Sequence, residues 1–448
     1  MSTKTFKGGA HPPERKERSA SVPIEILRKV TQVVIPVNQH FGAPIQPLVK
    51  VGDLVKRGQK IADADGRMTV PLHASITGTV KKIEPRMQAN NLEGLAIVIE
   101  PASEDETDFM QPLDAFACTK QEALARVREA GIIGVGGAGF PAHVKFAPPP
   151  NKPIEYVIAN AAECEPFLTI DERVMEETPE DLIDGMAIVM AIVGASKGVV
   201  GLENNKTHLV HLLEKAIADK AHGLDISVQL LATKYPQGGE KMLITAITGR
   251  EVPSGGLPMD VACVVSNVGT LKAVSEAFRK GKPVIDTGLT VTGGACETPK
   301  NLFVPVGMLV QDLFPDVVRY DEGKLRRIVM GGPMMGPAVP TLQIPIQKNT
   351  SGVLLMDATE AKAYAEGPCI RCGRCMRACS CRLSPALLNV AFNAGDLDTA
   401  EKIGALDCIE CGTCSFVCPS HIQLVQRFRV GKQLVRVKKQ KEALRAGK

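Results

Sequence analysis

Eight of the thirteen cysteines fall into two matched runs, Cys369-x2-Cys372-x2-Cys375-x3-Cys379 and Cys408-x2-Cys411-x2-Cys414-x3-Cys418-Pro419. Spacings of two and three let one short loop wrap a cube of iron and sulfide corner by corner. The fourth thiolate of each run then reaches across to the other cube. Two [4Fe-4S] clusters that move single electrons are the expected chemistry. Gly373 and Gly412 hold the same place in each run, where a missing Cβ lets backbone approach a cluster. The competing chemistry is a pair of zinc sites, but these use separated CxxC pairs more often than a triple with a reaching fourth. The first run departs from the pattern at its end. Ser380 stands where proline is expected and Cys381 follows, so Cys379 is the preferred ligand and Cys381 the alternative.

Two further motifs lie upstream. Gly131-IIGVGGAGFP contains Gly134-x-Gly136-x-x-Gly139, with Gly137 between. A dinucleotide fingerprint needs a strand before its glycines, and here a helical stretch, KQEALARVREA, precedes them, so a standard Rossmann turn is disfavoured. Four glycines in six residues still make a loop whose amides can approach a phosphate or a flat ring; the alternative is a plain turn. The second motif, Asn160-Ala-Ala-Glu163-Cys-Glu165-Pro166, follows an expected strand, YVIAN. Polar groups at a strand's C-terminal end suit ligand binding in an open α/β sheet, against the alternative of a solvated acidic loop. His208 and His211 share one helical stretch and read as surface residues.

The elements that must position these motifs amount to several domains in 448 residues. Residues 1–30 read as an extended, charged arm. Residues 31–103 alternate short β runs with turn signals, and VKVGDLVKRGQKIA with PLHASITGTVKKIE resembles the two halves of a biotinyl or lipoyl carrier, a barrel-sandwich fold. A carrier's modified lysine would fall at Ala64-Asp65-Gly66-Arg67, where there is none, so a scaffold with no swinging arm is expected. Residues 115–282 alternate helical and β patterns, an α/β domain. Residues 283–345 become glycine- and proline-punctuated strands, and 350–448 are helical around the cysteine runs. The fold class is thus multidomain α/β plus β.

A net charge of +4 and the absence of tryptophan argue against nucleic acid as partner. Thiolates reserved for iron imply a reducing compartment, and MSTKTFKGGAHPPERKERSA has no apolar core of a secretory signal. No membrane span is expected. The longest uncharged stretch, Ile328 to Gln347, holds four prolines, and the apolar run Gly185 to Ser196 is too short. The basic tail, Arg427 to Lys448, opposes nine cations to Glu442 alone; it reads as a solvated helix end, with docking on anionic lipid or an acidic partner as the alternative.

GVGGAGFPAHVKF, NAAECEP, YPQGGEKML and VSNVGTLKAV occur in this order. Together they resemble the flavin- and NADH-binding domain of the flavoprotein subunit of respiratory NADH dehydrogenase, and residues 283–345 are similar to the β-grasp domain that follows it. With the arm GGAHPPERK, the carrier-like module and the eight-cysteine region, the whole chain resembles the C-subunit family of the Rnf complex, a membrane-bound ferredoxin:NAD oxidoreductase. The resemblance implies a Rossmann-like FMN and NADH domain. In it Gly134, Gly136, Gly137, Gly139 and Lys145 embrace FMN and its phosphate, and Asn160 and Glu163, with Glu165 on the same motif, lie at the flavin. It likewise assigns Gly238 and Glu240 to nucleotide and flavin, and Ser266, Asn267 and Thr270 to a further flavin-contacting segment. Phe140 and Phe146 would stack on the NADH rings, against the alternative of core packing. Val135, Ala162 and Gly239 replace an arginine, an aspartate and a glutamate of the respiratory protein, which leaves NADH contacts less defined than FMN contacts.

The function so implied is that of an oxidoreductase subunit of an ion-translocating complex (a translocase), passing electrons between NAD(H), FMN and two clusters. It would be peripheral, at the cytoplasmic face of the cell membrane, with integral membrane and ferredoxin-like iron–sulfur subunits as partners. The alternative is a soluble flavin and iron–sulfur relay to a dedicated corrinoid or amino-acid reductase.

Overall fold

The computed structural model describes residues 2–66 and 68–446. Near the N-terminus, β-branched runs broken by turn glycines form two antiparallel sheets. One holds Val33–Pro36, Glu93–Pro101, Gly78–Met87 and Leu54–Val55 in that spatial order; the other holds Gln46–Pro47, Lys60–Asp63 and Leu72–His73. The two-residue period decides what each side chain meets. Val33 and Ile35 enter a core with Val55, Ile61 and Leu72, whereas Val34 joins Ala96, Val98 and Leu309 on the other face. The turn where a carrier would present its lysine joins Lys60–Asp63 to Leu72–His73, and residues 64–71 include no lysine; Arg67 lies outside the described residues. The foot of this turn is tied down instead. Arg128 donates to Asp63 and to the Ala64 carbonyl, each at 2.9 Å, and Lys60 pairs with Glu129.

Arg128 and Glu129 belong to the helix Lys120–Glu129, which opens on a capping box between Thr119 and Glu122. Four parallel strands follow: Tyr156–Ala161, Lys197–Glu203, Asp225–Leu231 and Cys263–Asn267, arranged third, second, first, fourth. The order reverses between the first strand and the fourth, and such a reversal opens a crevice at the strands' C-terminal ends. Asn160 and Asn267 are register partners at that crevice. The helix Pro179–Val193 absorbs most of the apolar run noted in the sequence and is buried almost all round, against the helix Val268–Arg279. Their contact is close: a Cβ on Gly185 would sit 1.9 Å from the Leu271 carbonyl oxygen. Among the described residues no helix is long and apolar enough to cross a membrane.

A six-stranded mixed sheet comes next, in the order Ile24–Ile26, Lys300–Pro305, Asp286–Thr292, Gly352–Met356, Arg327–Met330, Ala338–Val339. Two of its strands fall outside the expected 283–345. Ile24–Ile26 comes from the arm, and Gly352–Met356 lies where helix was expected. The latter is buried at every position, and a short, fully apolar run shows no period that would separate strand from helix. Beyond it, the helices Arg374–Ala378, Pro385–Asn393, Leu397–Lys402, Thr413–Phe416 and Leu424–Ala446 close on Leu388, Ala391, Ala400, Leu424 and Phe428.

The arm laces these parts together. Lys4 and Ala10 bridge to Leu231 and Tyr235, Gly9 N donates to the Ala378 carbonyl at 2.9 Å, and Arg18 donates to the carbonyls of Gly293 and Cys296.

Candidate cofactor and cluster sites

The glycine loop joins the helix Lys120–Glu129 to the short helix Ala142–Lys145, so no strand precedes it. Gly136 and Gly139 have φ of +71° and +67°, a conformation that glycine adopts without penalty. Hydrogen bonds fix the loop along its length. Gly134 N donates to the Phe140 carbonyl at 2.9 Å and Val135 N to Thr270 Oγ1 at 3.0 Å. Other segments hold it as well: Lys348 Nζ donates to Gly131 O at 2.7 Å, Asn349 Nδ2 to Gly137 O at 3.0 Å, and Phe41 N to Gly139 O at 2.9 Å. The tip, Gly136-Gly137-Ala138, is exposed. A Cβ on Gly137 would meet nothing within 4 Å, and one on Gly136 would be 3.7 Å from Asn267 Nδ2. The loop thus leaves open space beside the strand-end crevice, which is what a bound planar or phosphorylated group requires.

The crevice floor is polar. Asn160 Nδ2 donates to Gly238 O at 2.8 Å, and a Cβ on Gly238 would lie 2.3 Å from the Ala162 carbonyl oxygen, so only glycine permits this approach. Asn267 caps the helix Val268–Arg279 through its Oδ1, which accepts from Gly269 N at 2.7 Å, while its Nδ2 donates to Asp171 Oδ2 at 2.8 Å. Asp171 N donates to Glu163 Oε1 at 2.8 Å. Burial, and then the Glu163 charge, push Asp171 up to about 7. Lys16, from the arm, counters that negative charge. Its Nζ donates to the carbonyls of Glu163 and Leu168, each at 2.6 Å, and stands 3.4 Å from Glu163 Oε2. Lys145 donates to Glu240 Oε1 and to Val265 O, each at 2.9 Å, beside buried Ser266.

Two expected residues stand elsewhere. Phe146 is wholly buried in the α/β core and offers no ring face to a nucleotide; at the end of a four-residue helix it packs inward. Phe140 remains partly exposed. Glu165 is held between Met334 N, 3.0 Å from its Oε2, and the Tyr235 hydroxyl, 3.4 Å from its Oε1; burial pushes it up to about 7. The Tyr235 hydroxyl also donates to the Cys411 carbonyl at 2.8 Å, so this buried phenol joins the acidic loop to the second cysteine run. Lys16, Phe41, Asp171, Tyr235, Lys348 and Asn349 do not stand out in the sequence. Lys16 has a signal of sorts, in the GGAHPPERK segment, and Tyr235 opens YPQGGEKML.

The cysteine runs share one backbone shape. Gly373 and Gly412 have φ of +72° and +79° and start the short helices Arg374–Ala378 and Thr413–Phe416; two residues after the first cysteine of each run, Arg371 and Glu410 have φ of +56° and +57°. The glycines therefore serve a left-handed turn. At Gly412 close approach matters as well, since a Cβ there would lie 2.8 Å from Met334 O. The thiols fall into two sets by proximity: Cys369, Cys372 and Cys418 lie close to Cys375, and Cys408, Cys411 and Cys379 close to Cys414. The fourth cysteine of each run joins the other run's set. Cys381 also lies within reach of Cys408 and Cys411, and lines one cavity with Cys379, Cys408, Cys411 and Cys414. Among the described residues no group of three or more His, Cys, Asp or Glu side chains could hold a single metal ion. The second set instead surrounds a space walled by Leu388, Val425 and Phe428, with Thr413 Oγ1 3.2 Å from Cys411 Sγ. Sulfur donors around an apolar space fit an iron–sulfur cluster.

Three family models match. Residues 4–104 match the RnfC barrel sandwich hybrid domain, 127–276 the Nuo51 FMN-binding domain, and 368–423 a 4Fe-4S dicluster domain. The C subunit of the proton-translocating ferredoxin:NAD(+) oxidoreductase complex of Clostridium ljungdahlii is 44% identical, over 86% of this chain and 84% of its own. Its counterpart in the Na(+)-translocating complex of Acetobacterium woodii is 41% identical over 98% of both. The C subunit of the ion-translocating oxidoreductase complex of Pseudomonas aeruginosa is 39% identical over 97% of this chain, which spans 56% of that longer relative. With such identity along nearly its whole length, the chain belongs to the C-subunit family of the ion-translocating ferredoxin:NAD(+) oxidoreductase, or Rnf, complexes.

Proposed function

We propose that this chain is the NAD(H)-reacting subunit of an ion-translocating ferredoxin:NAD(+) oxidoreductase. In this role it passes electrons, in either direction, between NAD(H), FMN and two [4Fe-4S] clusters. The observation that carries the reading is the open space at the Gly136–Gly137 tip, with Asn267 next to Gly136 at the strand-order reversal, in a chain whose acidic loop is joined through Tyr235 to the second cysteine run. FMN supplies exchange of a hydride on one side and of single electrons on the other, and the clusters carry the single electrons.

The residues here do the holding and the tuning. Gly134, Gly136, Gly137 and Gly139 present backbone to the flavin, and Lys145, now paired with Glu240, is the cation for its phosphate. Asn160, Glu163, Ser266, Asn267 and Thr270 line the flavin side, and Gly238 with Glu240 the nucleotide side. Asp171, which burial and then the Glu163 charge raise to about 7, can hold a proton near neutral pH. Cys369, Cys372, Cys375 and Cys418 hold one cluster, and Cys408, Cys411, Cys414 and Cys379 the other. The six-stranded sheet corresponds to a β-grasp domain in this reading, and the partners are integral membrane and iron–sulfur subunits at the cytoplasmic face of the membrane.

The test uses the full chain, reconstituted anaerobically with iron, sulfide and FMN. It should retain one flavin through desalting, and NADH should bleach that flavin and reduce ferricyanide. A Gly137→Val chain should retain the clusters and lose the flavin. A wild-type chain that holds iron but no FMN would sink the proposal.

A further inference from the structure

With Phe146 in the core, the aromatic surface beside the glycine loop comes from a different domain. Phe41 lies in the turn after the strand Val33–Pro36 of the barrel-sandwich module and is 58% exposed. A lone exposed phenylalanine is ordinary. This one is fixed from two directions. Its backbone N donates to Gly139 O at 2.9 Å, and its ring stacks on Phe140 with centroids 6.0 Å apart and planes 22° from parallel. The contact with the loop is backbone on backbone: a Cβ on Gly139 would come within 3.0 Å of the Gln39 carbonyl oxygen. The other flank of the loop is pinned by Asn349 on Gly137 O. A held, largely exposed ring beside a loop whose tip is two glycines and an alanine is a stacking platform waiting for a flat partner.

We propose that Phe41 is a dinucleotide-binding residue: its outer face, backed by Phe140, is the wall on which the adenine ring of NAD(H) stacks. The inference rests on the glycine loop being the NAD(H) site, as proposed above. The adenine end is assigned because the nicotinamide must reach the flavin in the crevice, among Asn160, Asn267 and buried Glu163, whereas Phe41 is held at Gly139, not at the strand ends, and is largely exposed. An uncharged heterocycle needs a π face more than a charged partner, and Phe41 supplies that. The module that lacks a carrier's lysine thereby contributes to the nucleotide site.

The experiment uses the full FMN- and cluster-loaded chain and four probes: NAD+, NADH, ADP-ribose, which has adenine but no nicotinamide, and reduced nicotinamide mononucleotide, which has the reverse. The hydrogen bond to Gly139 is made by backbone and survives substitution, so Phe41→Leu and Phe41→Ala should both keep their FMN. Both should weaken NAD+ and ADP-ribose binding by about tenfold, the size of one aromatic stack. Flavin reduction by the mononucleotide should stay unchanged, and Phe41→Tyr should bind as wild type. Undiminished ADP-ribose affinity in Phe41→Ala overturns the inference. So does loss of FMN from Phe41→Leu, which would make the ring a brace for the loop. A wild-type chain that keeps FMN but is not reduced by NADH overturns the NAD(H) reading itself, and the inference falls with it.

Discussion

The two chemical regions of this molecule are built on opposite plans. The cluster region draws all its sulfur from one stretch, Cys369 to Cys418, and repeats one turn geometry at Gly373 and Gly412. The flavin crevice and the loop above it are assembled from far apart in the chain: Lys16 from the arm, the loop itself, the strand ends, and Phe41 and Asn349, which brace the loop from outside. A site of local ligands is fixed by spacing. A convergent site is fixed by everything that folds around it, so damage far away in sequence should reach the crevice and bypass the clusters.

The most severe way to test this difference is Cys411→Ser. It should lower bound iron and acid-labile sulfide by about half, because one of two clusters is lost. Flavin reduction by NADH should persist while onward transfer to the physiological partner stops, and normal transfer by this variant would refute the route. Lys16→Met is the converse experiment. Removing one member of a buried ion pair costs about 3–5 kcal/mol, here at Glu163, so FMN affinity and the thermal midpoint should fall while iron content holds. The double variant Lys16→Met/Glu163→Gln should regain part of that midpoint; if it does not, Lys16 acts through the Glu163 and Leu168 carbonyls alone.

Lys348 offers a gentler handle. It is fully buried, its ammonium meets the carbonyls of Pro71 and Gly131, and burial pushes it down to about 7. Its charge in turn bears on His40 and His73. A lysine with a depressed folded pKa binds fewer protons folded than unfolded, so it makes stability rise with pH from about 7 to the ordinary lysine range. Glu165, Asp171 and Glu203, each raised to about 7, act below that window and in the opposite sense; they are common to both proteins in the comparison. The midpoint of Lys348→Met should therefore lack the alkaline rise of the wild type. Parallel curves would show that the lysine is not depressed. The smallest effect is expected between the two runs. Gly373→Ala should cost about 1 kcal/mol for its left-handed backbone, and Gly412→Ala more, because its Cβ would also press on Met334 O. Equal losses in denaturant titrations would mean that the tight packing at Gly412 carries no energy.

The same contrast governs what can be read from the sequence. The cysteine runs, the glycine loop and the strand before Asn160 carry their signal in neighbouring residues, and the coarse architecture follows from them. Lys16 gives no sign in sequence that it will meet Glu163, because a long-range contact leaves no local period. Phe146 looks like Phe140 in sequence, six residues on, yet a short inward-facing helix buries it. Gly352–Met356 hides its strand for lack of alternation, and Phe41 its contact with Gly139 and Phe140 because nothing in its own segment points to a loop almost a hundred residues ahead.

The arm has a consequence for the order in which the protein is completed. Residues 4 to 18 are synthesised well before their partners, which are Leu231, Tyr235, Gly293 and Ala378. A ribosome would have made most of the chain before the last of these seats existed. Contacts of such sequence separation are slow to form, and until they do the segment carrying Lys16 has no fixed place. The flavin crevice should therefore mature late, after the segments of Gly293 and Asn349 have emerged, and a nascent chain halted before Gly293 should have an incomplete FMN site although every residue of its glycine loop has already been made.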